Sequence, residues 1–548
     1  MRPTEAQHRD ALALHADRLA RYLRGDFPVD SWRPVRLSYG LYYQLDHTSH
    51  MQRIKLPGGI MSADQLDVLA DVTDRYGRGI GHFTTRQDLQ IHWVPVGEIM
   101  DMYDRLLGAG ITTRGACADT VRNVTGCPYA GVSPDEPFDV TPYILAIHEY
   151  FLFNPLNLTL PRKFKIAVEG CPLDCAQVPV NDIGLYAKVK DGRQGFMVYA
   201  GGGLGSQPYL AQHITDFIPA TDALIWCEAI VRIQHRHGER KNRNRARMKY
   251  VVKKMGLEKF RQAIVDEVAR VDAERGAELR AEIAEALALH VVPEPATPPA
   301  ATPPVAGFDH WKGTNAHPQR QAGYRAVVVQ LPLGDLTSGQ MRDLAALSRR
   351  FGNGTLRATD DQNVVVPFVA HAALPGLYAA LVDAELGNPD VSTINDVVSC
   401  PGMDYCSLAI TRSMGMAERI RAHLLQDGEG FAARLGAFGV KISGCPNSCG
   451  QHHVGDIGLT GHVVTEDDGV QRPYYSILVG GSVGEGRGRI GKRVGRYPEE
   501  KASAAVAALA RFFERERKHG ERFPEFVDRL GVPKLTTVAE AGAAAGAT

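Results

Sequence analysis

The chain has 548 residues, with 62 Lys plus Arg against 62 Asp plus Glu and a formal net charge of zero. At roughly 150 residues per domain, that length predicts three or four domains and a core able to bury a large cofactor. Neutrality argues against a dedicated nucleic-acid or membrane-surface protein, and no apolar run is long enough to span a bilayer.

Residues 1–45 predict an N-terminal helical segment, charged and without the apolar stretch of a signal peptide. The expectation is a cytoplasmic protein whose nine cysteines are thiols or metal ligands, not bridges. Residues 46–116 give an extended run, the helix SADQLDVLADVTDRYG, the strand DLQIHWVPV and the helix GEIMDMYDRLLGAG, a β-α-β order like a ferredoxin-like half unit. Residues 117–290 carry Cys127, Cys171 and Cys175, the glycine-rich VYAGGGLG, the basic run RHGERKNRNRARMKYVVKK at 236–254, and Ala/Glu/Arg-rich helices from 256 to 290. Residues 291–308 contain PEPATPPAATPP, an extended linker. Residues 309–390 predict a second ferredoxin-like half and residues 391–548 a second lobe ending its own strand in ILVGGSVG.

The order repeats because the chain is internally duplicated. LPGGIMSADQ from Leu56 answers LPLGDLTSGQ from Leu331. VTGCP at Cys127 answers VVSCP at Cys400, VEGCPLDC at Cys171 answers ISGCPNSC at Cys445, and NDIGL at Asp182 answers GDIGL at Asp456. The offsets are 275, 273, 274 and 274 residues, too constant for chance.

Four cysteines stand in the second lobe: Cys400 and Cys406 as C-x5-C, Cys445 and Cys449 as C-x3-C. Four thiolates satisfy a four-iron cubane, one per iron. Zinc also takes four cysteines but usually on tighter knuckles, and disulfides suit an oxidising compartment. In the first lobe Ser133 stands where Cys406 stands in the second, leaving that set one ligand short and predicting one cluster.

MQRIKLPGG (51–59), FTTRQDLQIHW (83–93), VRNVTGCP (121–128), LPRKFK (160–165) and both cluster motifs resemble those of the sirohaem-dependent sulfite and nitrite reductases, over nearly the whole chain. The resemblance implies an α/β (α+β) fold, internally duplicated, with paired ferredoxin-like halves and two α/β lobes clasping sirohaem. It implies a 4Fe-4S cluster on Cys400, Cys406, Cys445 and Cys449, with Cys449 also bridging to the sirohaem iron. Arg53, Arg122, Lys163 and Lys165 match substrate-facing positions; Arg86, Gln90, Arg162 and Asn447 match sirohaem contacts, with Gln362 and Asn363 as further candidates. Sirohaem carries many carboxylates, so a surplus of buried cations is expected around it. The basic run could supply some of them or form a donor surface. His92, His452 and His453 are expected to be structural. Cys127 is expected near the sirohaem edge, where it could stay a small core residue or couple oxidatively to Tyr42.

The implied activity is six-electron reduction of sulfite to sulfide, with nitrite to ammonia as the alternative by the same mechanism. Lys165, two residues after Lys163, tilts the reading toward the sulfite dianion, since plant-type nitrite reductases tend to carry asparagine there. No nicotinamide or flavin fingerprint is evident, so electrons are expected from reduced ferredoxin or a separate NADPH flavoprotein. A cobalamin-pathway monooxygenase of the same fold, and an iron-sulfur scaffold without an oxyanion pocket, are the competing readings.

Overall fold

A computed structural model describes residues 3–46, 48–425, 427–428 and 430–545. Its strands form four five-stranded sheets, two built by the ferredoxin-like halves and two by the lobes. Among the described residues no helix is long and apolar enough to cross a membrane.

Each half adds a strand that periodicity alone does not separate: Ile80–Phe83 in the first and Thr355–Ala358 in the second, giving β-α-β-β-α. The halves also trade edges. Ile60–Ser62 pairs antiparallel with Thr355–Ala358, and Asp335–Thr337 pairs antiparallel with Ile80–Phe83, so each half completes the other's sheet. The LPGG and LPLG motifs make this crossing possible. Gly59 sits at φ +71, where a Cβ would lie 2.2 Å from the Ala358 carbonyl oxygen, and Gly334 sits at φ +78, 2.5 Å from that of Phe83.

Helices Ala63–Tyr76 and Ser338–Phe351 both start with a capping box, Ser62 with Gln65 and Thr337 with Gln340. Their apolar stripes, including Leu66, Leu69, Met341 and Leu344, are fully buried in one shared core. Arg342 bonds Asp71 and Asp74, and Arg349 bonds Asp64 and Asp67, across their exposed side.

The two lobes repeat one topology. In the first, Thr125–Gly126, Ile166–Glu169 and Ile183–Lys190 run parallel, and Arg193–Ala200 and Gln212–Pro219 continue antiparallel. Val398–Ser399, Val440–Ser443, Ile457–Thr465, Gln471–Val479 and Lys492–Pro498 do the same in the second. The repeated Asp of NDIGL and GDIGL has a clear job. Asp182 Oδ2 accepts the Lys165 N–H at 2.8 Å, and Asp456 Oδ2 accepts the Gly439 N–H at the same distance, holding equivalent strand entrances.

The 256–290 region is a single helix, Leu257–Leu289, laid on Thr141–Leu152 and Ala223–His237 through Phe260, Ile264, Val271, Leu279 and Ile283. The proline linker is extended and tied down by Ala296 N–H to the Gly352 carbonyl. The glycine-rich turns admit neighbouring chain. A Cβ on Gly202 would lie 2.5 Å from the Pro179 oxygen, and one on Gly481 2.5 Å from the His453 oxygen.

Candidate functional site

The duplication places cations on one copy and thiolates on the other, and the fold brings them to one cleft. Lys163 and Lys165 precede the strand Ile166–Glu169 in extended chain, bridged to 120–122 by Arg122 N–H to the Phe164 carbonyl and Phe164 N–H to the Thr120 carbonyl, both 2.8 Å. Phe164 is fully buried, so alternation turns both lysines the other way, half-exposed to the cleft. In the second copy Phe438 keeps the core position, but Ala437 and Gly439 replace the lysines.

Arg122 is held by backbone carbonyls: Nε and Nη2 donate to Ala118 at 3.0 and 2.7 Å and Nη1 to Ala116 at 3.1 Å. Arg53 is the register partner of Gln90, whose oxygen, turned toward the guanidinium, accepts from Nη2 at 2.8 Å. Arg53 also lies 3.8 Å from Asp88 and 3.5 Å from the Cys117 thiol. Arg86 donates to Asn181 Oδ1 at 3.1 Å and to the Asn123 carbonyl at 2.6 Å. Burial lowers its pKa to about 10.

Burial also dominates at the lysines. It pushes Lys163 down to about 7, with Arg122, Arg247 and Arg162 pushing the same way and Cys449 opposing. Lys165 falls well below the ordinary lysine range through burial, Arg86 and Lys163. A lysine so shifted can exchange a proton near neutral pH, whereas the arginines stay charged and serve as fixed clamps.

The second lobe contributes the thiols. Cys400 and Cys445 are buried, Cys406 is half-buried and Cys449 is exposed. The Gly444 N–H donates to Cys400 Sγ at 3.2 Å, and burial raises the Cys445 thiol's pKa while nearby Asn447 acts to lower it. Thr85 of the first half donates to the Cys449 carbonyl at 2.7 Å, and Gln451 Nε2 returns a bond to the Thr85 carbonyl at 3.1 Å. That clamp sets Cys449 among the neighbours of Arg53, Lys163 and Lys165.

This lining fits an anionic macrocycle beside a cluster. The cleft offers more cations than a small oxyanion needs, and Arg86 Nε, although buried, finds no partner among the described residues. Sequence reasoning missed two further cations. Lys55, two residues beyond Arg53, is only 4% exposed, and burial pushes it to about 7 against the pull of Asp88. The same alternation that pairs Lys163 with Lys165 could have found it. Arg247, inside the basic run, makes a two-pronged contact with Asp182, Nε to Oδ1 at 3.1 Å and Nη2 to Oδ2 at 2.8 Å, while Lys249 donates to the Leu204 carbonyl at 2.9 Å. Replacing Arg247 with Met leaves Asp182 buried and unpaired, and the expected loss is about 3–5 kcal/mol of stability. Denaturant unfolding of the holoprotein measures it; an unchanged midpoint contradicts this role.

Other expected residues serve elsewhere. Arg162 lies 3.5 Å from Asp119, which also pairs with Arg243 at 2.7 Å. Gln362 donates to the Phe83 carbonyl and accepts the Ser399 N–H, and Asn363 bonds Asp396 and the Leu331 N–H, so both are structural. Gln87 mirrors Gln362 by bonding Gly126 and Ala358. His92 stacks on Tyr405 at 4.4 Å, and His453 bonds the Gly205 carbonyl at 2.9 Å. The thiol beside Tyr42 is Cys117, not Cys127: Cys117 acts on the Tyr42 phenol, whereas Cys127 faces Cys171 at 3.7 Å.

Two family models match the chain: the nitrite and sulphite reductase 4Fe-4S domain over 117–271 and 390–544, and the nitrite/sulfite reductase ferredoxin-like half domain over 43–109 and 317–384. The assimilatory ferredoxin-dependent nitrite reductase of Haloferax mediterranei is 31% identical, covering 92% of this chain and 86% of that protein. The ferredoxin–nitrite reductase of Synechococcus elongatus is also 31% identical, covering 83% of this chain and 82% of that one. The solved structure of the Mycobacterium tuberculosis NirA protein superposes with a TM-score of 0.78 at 25% identity, covering 93% of this chain and 92% of that one. The chain belongs to the nitrite and sulfite reductase family, with sirohaem and a 4Fe-4S cluster as its cofactors.

Proposed function

We propose that this protein reduces nitrite to ammonia with six electrons taken from reduced ferredoxin. The observation that carries the reading is the convergence of Arg53, Arg122, Lys163 and Lys165 on the cleft into which Cys449 opens. An oxyanion pocket of this kind favours the reductase over a corrinoid monooxygenase or a bare electron carrier. When bound, sirohaem and its linked cluster supply electrons singly to the substrate. The chain's own work is to clamp the anion with Arg53 and Arg122 and to deliver protons as oxygen leaves as water, with Lys163 as a tunable donor. Cys400, Cys406, Cys445 and Cys449 would hold the cluster, and Arg86, with Gln90 beside Arg53, would meet the macrocycle. The curated relatives' names support nitrite as substrate and ferredoxin as donor.

Sulfite is the second reading, favoured by Lys165. Its weight falls because burial and three neighbouring cations, Arg86, Lys163 and Arg247, depress the Lys165 ammonium, so it adds less positive charge than an ordinary lysine. The test is kcat/KM for nitrite and sulfite measured side by side on wild type and Lys165→Asn. Nitrite is expected to lead by about 10-fold or more, and the variant to lose sulfite turnover more than nitrite turnover. A wild-type preference for sulfite overturns the nitrite assignment.

A further inference from the structure

The duplication that builds the cofactor cleft also builds its pseudo-symmetric counterpart, a cavity of about 240 Å³ lined by Ser133, Cys171, Cys175, His317, Val328 and Asp361. Each lining residue answers a residue of the functional cleft. Val328 stands for Arg53, Asp361 for Arg86, Ser133 for Cys406 and His317 for Tyr42. The cations are therefore gone: the arginines have become valine and aspartate, and Asp361 is itself neutralised by Lys441 at 2.7 Å. Without those arginines the cavity lacks the fixed cations that an anionic macrocycle needs.

Three thiols remain there. Cys127, Cys171 and Cys175 Sγ atoms lie within 4.8 Å of one another, and among the described residues no other three potential ligands converge in this way. The Cys127–Cys171 separation is 3.7 Å. Two thiolates on one tetrahedral zinc, at about 2.3 Å each, stand ~3.8 Å apart. A cubane spreads its cysteines more widely, one beyond each iron, and no three of the second lobe's four sulfurs approach as closely as the first-lobe trio.

The ligand loop has kept its shape in both lobes. Asp174 and Gln177 have φ of 62° and 55°, and their counterparts Ser448 and Gln451 both have 59°, a left-handed conformation unusual for such residues and repeated in register. In the first lobe the loop is braced by fully buried Glu169, whose carboxylate accepts the Cys171 N–H at 2.8 Å and the Ala176 N–H at 2.7 Å. Cavity-facing His317 has a buried Nε2 with no partner among the described residues. Small loops held this firmly with thiols converged, beside the unpartnered His317 nitrogen, point to a ligand.

We propose that Cys127, Cys171 and Cys175 bind a single zinc ion, with the fourth coordination position open to the adjacent cavity. The site is separate from the sirohaem and cluster cleft and needs no particular substrate, so its test stands apart from the nitrite assignment. It joins the loop at 171–175 to the strand end at Cys127, a structural role that the second lobe gives to its cluster.

Metal analysis of the purified holoenzyme, with sirohaem confirmed by its absorption bands, tests this. The expected result is about one zinc per chain beside about five irons, the four of the cluster and one of sirohaem. Cys175→Ala and Cys171→Ala should each lose the zinc while iron and the sirohaem bands persist. Cobalt substituted for zinc should show thiolate-to-metal absorption that Cys175→Ala abolishes, a readout available even if Cys171→Ala misfolds. Iron rising by three or four per chain with no zinc overturns the proposal in favour of a second cluster. A wild-type holoenzyme that binds no zinc even when zinc is supplied in excess, or whose trio is found as a disulfide and a free thiol, overturns it as well.

Discussion

Cys449→Ser is expected to reduce nitrite turnover by more than about 10³-fold, at least ~4 kcal/mol on the barrier. In the proposed site Cys449, exposed beside the Thr85 clamp, is the thiolate that would both complete the cluster set and face the cations. A hydroxyl is a poor substitute for a soft thiolate ligand, so the iron content should fall and the sirohaem bands should shift. Cys117→Ser, the thiol beside Arg53 and Tyr42, is the control that separates ligation from general thiol loss. Near-normal turnover in Cys449→Ser with full iron would remove Cys449 from the centre of the account.

Lys163→Met is the second large effect, with kcat expected to fall by about 10²–10⁴-fold if the lysine delivers protons. The pH profile distinguishes this from simple loss of charge. Burial lowers Lys163 to about 7, so the protonated donor dominates below that value and is lost as pH rises through it. Wild-type kcat/KM should therefore decline on the alkaline side near neutral pH, and the variant should lack that limb. A Lys163→Met enzyme that keeps the same alkaline decline would assign it to another group, of which Lys55, also near 7, is the leading one. The arginine clamps should behave differently: their loss raises KM without moving the profile.

The large architecture was legible because duplication leaves four motifs in one register, and because cysteine, lysine and glycine types at fixed spacing carry their chemistry with them. The traded edge strands were not, since Ile60–Ser62 and Asp335–Thr337 are too short to show a period and pair across a long stretch of chain. Lys163 and Lys165 could be set on one face by alternation around Phe164. Gln362 and Asn363 looked like cofactor contacts because the polar pair in DDQNVVV says nothing about direction; the fold turns both onto backbone and Asp396. The Tyr42 partner failed for a related reason. Cys127 and Cys117 lie ten residues apart, and only the strand at Thr125–Gly126 decides that Cys127 faces Cys171 while Cys117 faces the phenol. Sequence also could not say that Lys165 is depressed, because that follows from three-dimensional crowding with Arg86 and Lys163.

Reduced ferredoxin consumed per nitrite, with ammonium measured as the product and the spectrum taken beforehand, tests the central claim most directly. The account predicts sirohaem bands, one ammonium per nitrite, and six one-electron equivalents per turnover. Bands without ammonium, or electrons consumed only with sulfite, would contradict nitrite reduction; a purified chain that cannot be loaded with sirohaem would contradict the cleft itself.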